Sequence, residues 1–293
     1  MTLAGDWTID WRPDEAMLAA RLAALRPAAI DVPEEIVRRY REDGVVLIRG
    51  LYAEWVERLQ AGLERILQNS AAYAFPSEAI GGGEAGRFFD AYCNWHVVPE
   101  FMAFCLTSSA ASLAARLMGS ATAQLFHEHV FSKEPGTAKA TPWHHDMPYY
   151  SVAGTQTASV YVPLDETPED IAVRFVAGSH RWGRLYHPRG FADGEAVNLD
   201  DPEFAPLPDL SEARILGWAL QPGDALVFDF KALHGTTANP IRNRRRAFSA
   251  RFLGDDAHFH RRRGETSPPL EDRAFVEGER LPERWFPVVW RER

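Results

Sequence analysis

The chain has 293 residues, 46% hydrophobic and 25% charged, with 21 Gly and 20 Pro, a balance that excludes disorder, collagen and low-complexity filaments. Asp and Glu number 41 against 32 Lys and Arg, and the resulting formal charge of -9 argues against generic binding to nucleic acid or anionic lipid. Two cysteines, Cys93 and Cys105, are too few for a disulfide framework, and neither a leader-like start nor an eighteen-residue apolar run is present, so a reduced cytoplasmic setting without membrane insertion is expected. One domain is expected: a helical layer over 1–120, a β-rich core over 121–253 and a tail over 254–293 that packs back on the body or on a partner.

Met17, Leu18, Leu22 and Leu25 form a helical stripe. Asp31 is placed to cap a second helix carrying Pro33 and two Glu in its first turn, and residues 45–48 read as a strand after Asp43-Gly44. Trp55, Leu59, Leu63 and Ile66 form a second stripe on a longer helix; Gly81-Gly82-Gly83 marks a break, and 99–118 returns to helical periodicity. Cys93 and Cys105 both fall in a stretch that reads as helical. From about residue 122 short strand-like runs follow one another at 124–131, 143–147, 157–164, 172–177, 215–220, 225–230 and 246–253, the texture of an antiparallel sandwich or barrel. The long irregular piece 186–213 is expected at a site entrance.

The informative stretch is Thr141-Pro142-Trp143-His144-His145-Asp146. On a strand, residues two apart share a face, so the His144 imidazole and the Asp146 carboxylate would point at one spot. His234, 90 positions on and just beyond the strand 225–230, is the natural third donor for a two-histidine, one-carboxylate face on Fe(II), which leaves three adjacent coordination positions open. Eleven residues later Arg245 opens a final strand. Its planar guanidinium suits the distal carboxylate of 2-oxoglutarate.

With these residues in place, the chain resembles the phytanoyl-CoA dioxygenase family of Fe(II)- and 2-oxoglutarate-dependent oxygenases. The likeness rests on Lys133-Glu134-Pro135-Gly136-Thr137, the 141–146 stretch with Pro148-Tyr149-Tyr150 behind it, Gly178-Ser179-His180-Arg181-Trp182-Gly183, Pro222-Gly223-Asp224, His234-Gly235-Thr236 and Arg245-Arg246-Ala247, in the family's order. It implies a mainly β fold with helical additions around a double-stranded β-helix, the jelly-roll also found in cupins. It implies iron on His144, Asp146 and His234, 2-oxoglutarate on Arg245 with Thr236, Tyr161 and His129 nearby, and O2 as co-reactant. The reaction implied is hydroxylation of a C–H bond of a small organic substrate with release of succinate and CO2. Trp143, Tyr150 and Arg174 are the substrate contacts expected. His145, where the family more often has Gln, should face away from the metal, and Glu169-Asp170-Ile171-Ala172 replaces the family's usual Asn-Gly turn.

A cupin-type metal site would instead use His127, His129, Glu134 and His234, without 2-oxoglutarate, and a non-catalytic metal-binding jelly-roll would keep the fold but turn nothing over. The arginines at 242, 244, 245, 246 and 251 read as a solvated strand end with one functional member, and Arg261-Arg262-Arg263 as surface. His96, His187, His258 and His260 read as surface or core, and His180 as a turn residue. Oligomeric state is not readable from the sequence.

Overall fold

In the computed structural model the described residues are 10–80, 86–136, 140–190, 195–236, 243–264 and 266–292. The expected break at Gly81–Gly83, Thr137 and Arg242 lie outside them.

Helix α1 (Glu15–Ala24) starts at Asp14, whose carboxylate accepts from the Met17 amide at 2.7 Å. Helix α2 (Glu34–Asp43) is entered through Pro33 rather than capped by Asp31 as expected; no side chain closes that end, and the proline's fixed φ sets the first turn. Helix α3 (Val56–Gln68) buries Leu59, Leu63 and Ile66 of the expected stripe, whereas Trp55 ends a 3-10 turn just before it and is half-buried. The stretch 99–118 forms two helices, α4 (Pro99–Thr107) and α5 (Ala110–Met118), meeting at a 45° bend. Cys105 is buried in α4, but Cys93 is not helical: it follows a strand, in the left-handed region at φ 64°. Among the described residues no single helix is long and apolar enough to cross a membrane.

The strands in chain order are β1 (Val45–Ile48), β2 (Ser77–Ile80), β3 (Arg87–Tyr92), β4 (Thr122–Lys133), β5 (Thr141–His144), β6 (Val152–Ala153), β7 (Thr157–Pro163), β8 (Arg174–Val176), β9 (Leu185–Tyr186), β10 (Phe204–Ala205), β11 (Ile215–Leu216), β12 (Ala225–Phe228), β13 (His234–Thr236), β14 (Arg245–Leu253), β15 (His258–Phe259) and β16 (Val288–Arg291). The larger sheet runs β1-β12-β7-β14-β4-β3-β2, with β16 also on β4; the smaller runs β11-β8-β13-β5. All pairings within both are antiparallel. This is the mainly β jelly-roll arrangement with helical additions.

Alternation along the larger sheet decides what each face meets. Val130, Val160, Phe248 and Ala250 pack with Phe101, Phe104 and Leu113 of the helical layer, and Phe248 sits between Phe101 and Phe104 at ring separations of 5.0 and 5.1 Å. Burying one such ring stabilises the fold by roughly 1.5–3 kcal/mol. The opposite face, together with the smaller sheet, walls a cavity. The tail returns to the body through β15 on β6 and β16 on β4, with Phe286 against Phe126 and Trp11. Arg262 is not at the surface as its run suggested: it is buried and donates to the Tyr150 and Val152 carbonyls at 2.8 and 2.9 Å.

Candidate metal and cosubstrate site

His144 ends β5 and His234 begins β13, and the two are direct register partners on neighbouring strands. Close approach of the strands here needs Gly235, where a Cβ would lie 2.9 Å from the Thr141 carbonyl oxygen. The expected strand over 143–147 stops at His144. Asp146 instead has helical dihedrals, φ -70° and ψ -36°, at the mouth of a 3-10 turn over Met147–Tyr149. The turn, held by the Met147 amide on the Phe230 carbonyl at 3.0 Å, delivers the carboxylate by another route. Asp146 Oδ1 lies 3.8 Å from His144 Nε2 and 3.7 Å from His234 Nε2, and the three donors fall within 4.8 Å of one another. Among the described residues this is the sole such group of three or more His, Cys, Asp or Glu.

Both imidazoles are oriented by the same device. Nδ1 of His144 donates to the Pro142 carbonyl at 2.8 Å and Nδ1 of His234 to the Ala232 carbonyl at 2.9 Å, each two residues back. These bonds assign the tautomer and leave both Nε2 lone pairs facing Asp146. Burial holds His144 down to about 3 and also lowers His234. For Asp146 burial pushes upward, but Arg251 and the two histidines together outweigh it and hold the carboxyl at about 2. Two neutral imidazoles and one carboxylate are therefore present at neutral pH, the protonation state that metal binding demands. The donor set fits a ferrous ion held on one side and open on the other.

The triad opens into a cavity of about 410 Å³ lined by both sheets. In its wall, Arg245 is 3% exposed. Its Nη1 donates to the Ile171 carbonyl at 2.9 Å and its Nη2 reaches the Tyr161 hydroxyl at 3.5 Å, while Nε is buried with no partner among the described residues. A buried guanidinium with a donor in reserve fits a ligand carboxylate. Thr236 and Tyr161 line the same cavity; the Thr236 hydroxyl accepts from the Thr141 amide at 2.9 Å. His129 lines it too, with Nε2 on Asp90 Oδ2 at 3.0 Å, and so does buried Tyr150.

Trp143 and Arg174, expected to touch substrate, do not line this cavity. Each neighbours an inward-facing residue on its strand, His144 and Phe175, and so points the other way. Trp143 packs with Val176, Tyr186 and Leu233, and Arg174 lies beside Gly217. His145 does face away: its Nε2 accepts the Tyr186 amide at 2.7 Å. The cupin-type set does not assemble, because Glu134 is engaged by Arg244 and Ser132, both at 3.0 Å, while His127 and His129 line the cavity without it.

The arginine cluster also departs from the solvated strand end expected of it. Arg246 is held by Asp165 and Glu64, and Arg251 is 6% exposed and lines the cavity. Sequence reasoning missed Arg251 and Ser249. Counting by twos from Arg245 along β14 would have put both on its face. The segment after Tyr186 touches the cavity wall through Tyr149, whose hydroxyl donates to the Arg189 carbonyl at 2.9 Å and accepts the Arg189 amide at 2.7 Å.

The pattern of one family, phytanoyl-CoA dioxygenase (PhyH), matches residues 40–247, more than two thirds of the chain, with His144, Asp146, His234 and Arg245 inside it. The chain belongs to the phytanoyl-CoA dioxygenase family. That family consists of Fe(II)- and 2-oxoglutarate-dependent oxygenases, so iron, 2-oxoglutarate and O2 come with membership, and the triad and Arg245 are the groups here that fit them. Among related proteins, dioxygenase lolE1 of Epichloe uncinata is 28% identical over 155 residues, 52% of this chain and 51% of that one. The chain thus matches about half the length of that relative. Dioxygenase cdmD of Talaromyces verruculosus is 24% identical over 262 residues, 77% of each chain. Of solved structures, the non-heme alpha-ketoglutarate-dependent carbocyclase SnoK from nogalamycin biosynthesis superposes with TM-score 0.67 at 22% identity, covering 90% of this chain and 99% of that one. EctD from S. alaskensis superposes with TM-score 0.64 at 16% identity, covering 90% of each. These two likenesses concern the fold alone.

Proposed function

We propose that this dioxygenase hydroxylates a C–H bond of a small organic substrate, with His144, Asp146 and His234 holding ferrous iron and Arg245 holding the far carboxylate of 2-oxoglutarate. The observation that carries this reading is the convergence of three metal donors in the wall of a cavity that also contains a buried guanidinium with an unused N–H. Bound together, iron and 2-oxoglutarate supply the oxidising chemistry, with succinate and CO2 as by-products. The chain itself binds, orients and excludes water. Asp146 and the two Nε2 atoms would hold the ion, Arg245 the cosubstrate with Thr236 and Tyr161 in the same cavity wall, and His129 is part of that wall. Tyr149, Tyr150 and Phe228 make the metal end largely apolar, which suits an organic substrate and keeps bulk water out.

We take the chain as one domain, since tail strand β16 is hydrogen-bonded into the same sheet as β4 and β14. Two buried cysteines without a disulfide fit a cytoplasmic setting. The test is anaerobic addition of Fe(II) and then 2-oxoglutarate, followed by admission of air with a panel of small organic substrates. A metal-to-ligand charge-transfer band on the second addition and substrate-coupled succinate release are expected. The absence of both band and succinate would end this reading.

A further inference from the structure

The two oxygens of Asp146 have different company. Oδ1 faces both Nε2 donors, whereas Oδ2 lies 3.6 Å from Arg251 Nη2 and 3.4 Å from the Ser159 hydroxyl. Arg251 is itself held. The same Nη2 lies 3.4 Å from His129 Nδ1, His129 Nε2 donates to Asp90 Oδ2 at 3.0 Å, and the guanidinium lies over the Tyr150 ring at 5.7 Å. Asp90, His129 and Arg251 are therefore linked by hydrogen bonds, and Arg251 meets Asp146 as a buried ion pair. The linkage runs from β3 through β4 and β14 to the metal-binding turn.

A carboxylate can take a metal through one oxygen or both, and the choice sets how many coordination positions stay open. We infer that Arg251 is a positioning residue: by holding Oδ2 it makes Asp146 a one-oxygen ligand through Oδ1 and preserves an open position on the ion. Ser159 assists it, and Asp90 and His129 hold Arg251 in place. Nothing else among the described residues opposes Oδ2 with a positive charge at comparable distance. The inference rests on the triad being the metal site.

The test needs no turnover. Co(II) is titrated into metal-free protein without 2-oxoglutarate, reading affinity by calorimetry and coordination by the visible d–d bands. For the wild type, one ion per chain is expected, lost in His234→Ala. Arg251→Met should weaken Co(II) about 10–100-fold, the range found when an outer partner of a metal ligand is removed, and should change the d–d bands as Oδ2 joins the ion. Arg251→Lys should return part of both. Asp90→Asn, which leaves Arg251 in place but loosens its far anchor, should shift the bands in the same direction by less, and it carries the test if Arg251→Met does not fold. Unchanged affinity and spectrum in Arg251→Met, or in Asp90→Asn where only that variant folds, would overturn the positioning role alone. A wild type that binds no Co(II) would overturn the metal site with it.

Discussion

The two faces of β14 are both buried, yet they are built for opposite purposes. Phe248 and Ala250 are buried against the helical layer; Arg245, Ser249 and Arg251 face the cavity and keep polar atoms without partners among the described residues, namely Arg245 Nε, Ser249 Oγ and Arg251 Nε and Nη1. Neighbouring arginines show the same divide. Arg246 has Asp165 on two nitrogens and Glu64 on a third, at 2.8–3.0 Å, whereas Arg245 has one carbonyl and one long contact to a hydroxyl. Saturated polar groups stabilise a fold, and unsaturated buried ones lower its stability unless a ligand completes them. On this strand the face with unmet hydrogen bonds is the one that lines the cavity.

The sharpest way to break the comparison is Asp146→Ala, which should remove metal binding and bring 2-oxoglutarate turnover to background while the apo fold persists; metal content after desalting and succinate release check it. Phe248→Ala acts on the other face. It should cost about 3–5 kcal/mol in urea unfolding, with Co(II) stoichiometry per folded molecule unchanged. Arg245→Ala should weaken 2-oxoglutarate by roughly 2–5 kcal/mol, since it takes away one partner of a buried charge pair, and should leave Co(II) binding without cosubstrate near that of wild type. Arg246→Ala should do the reverse: about 1–2 kcal/mol of stability lost and 2-oxoglutarate affinity kept.

A smaller effect separates the faces by pH. His127, His144 and His234, facing the cavity, are held by burial below the ordinary histidine range. In the metal-free protein the unfolded chain takes up protons near pH 6.5 that the folded chain refuses, so their contribution is full above that pH and is lost as pH falls. Glu128, on the opposite face and pushed up to about 8 mainly by burial, has the other sign, with its contribution lost as pH rises from about 4.5 to 8. Glu128→Gln should therefore make apo stability climb more steeply between pH 5 and 7, read as urea midpoints.

Residue type and order made much of this legible beforehand. His144, His234 and Arg245 lie at strand ends where a polar residue interrupts apolar runs, and each is found in the cavity wall. Asp146 was legible for a reason that fails locally, because spacing by two on a strand and a tight turn after the strand can deliver a carboxylate to the same place. Which face a residue takes was the harder matter. Trp143 and Arg174 sit one position from inward residues, and the strand limits that fix parity depend on pairing with distant partners. Arg251 was hidden by composition, since five arginines in ten residues look like a wet surface until β4 and β7 flank the strand on both sides. The left-handed turn at Cys93 has no signal in its own residue type.

The placing of β14 has a consequence for assembly. It lies between β4 and β7, although the chain completes both of those some eighty residues before β14 begins, counting from the end of β7 at Pro163 to Arg245. Until then two long hydrogen-bonding edges stand open, closed only by contacts of high sequence separation, which are slow to form and prone to mispairing. Insertion of that one strand joins the sheet halves and brings in both Arg245 and Arg251. The cavity wall is thus complete only once β14 is in place, and a chain that ends before residue 245 lacks the strand that covers those two edges.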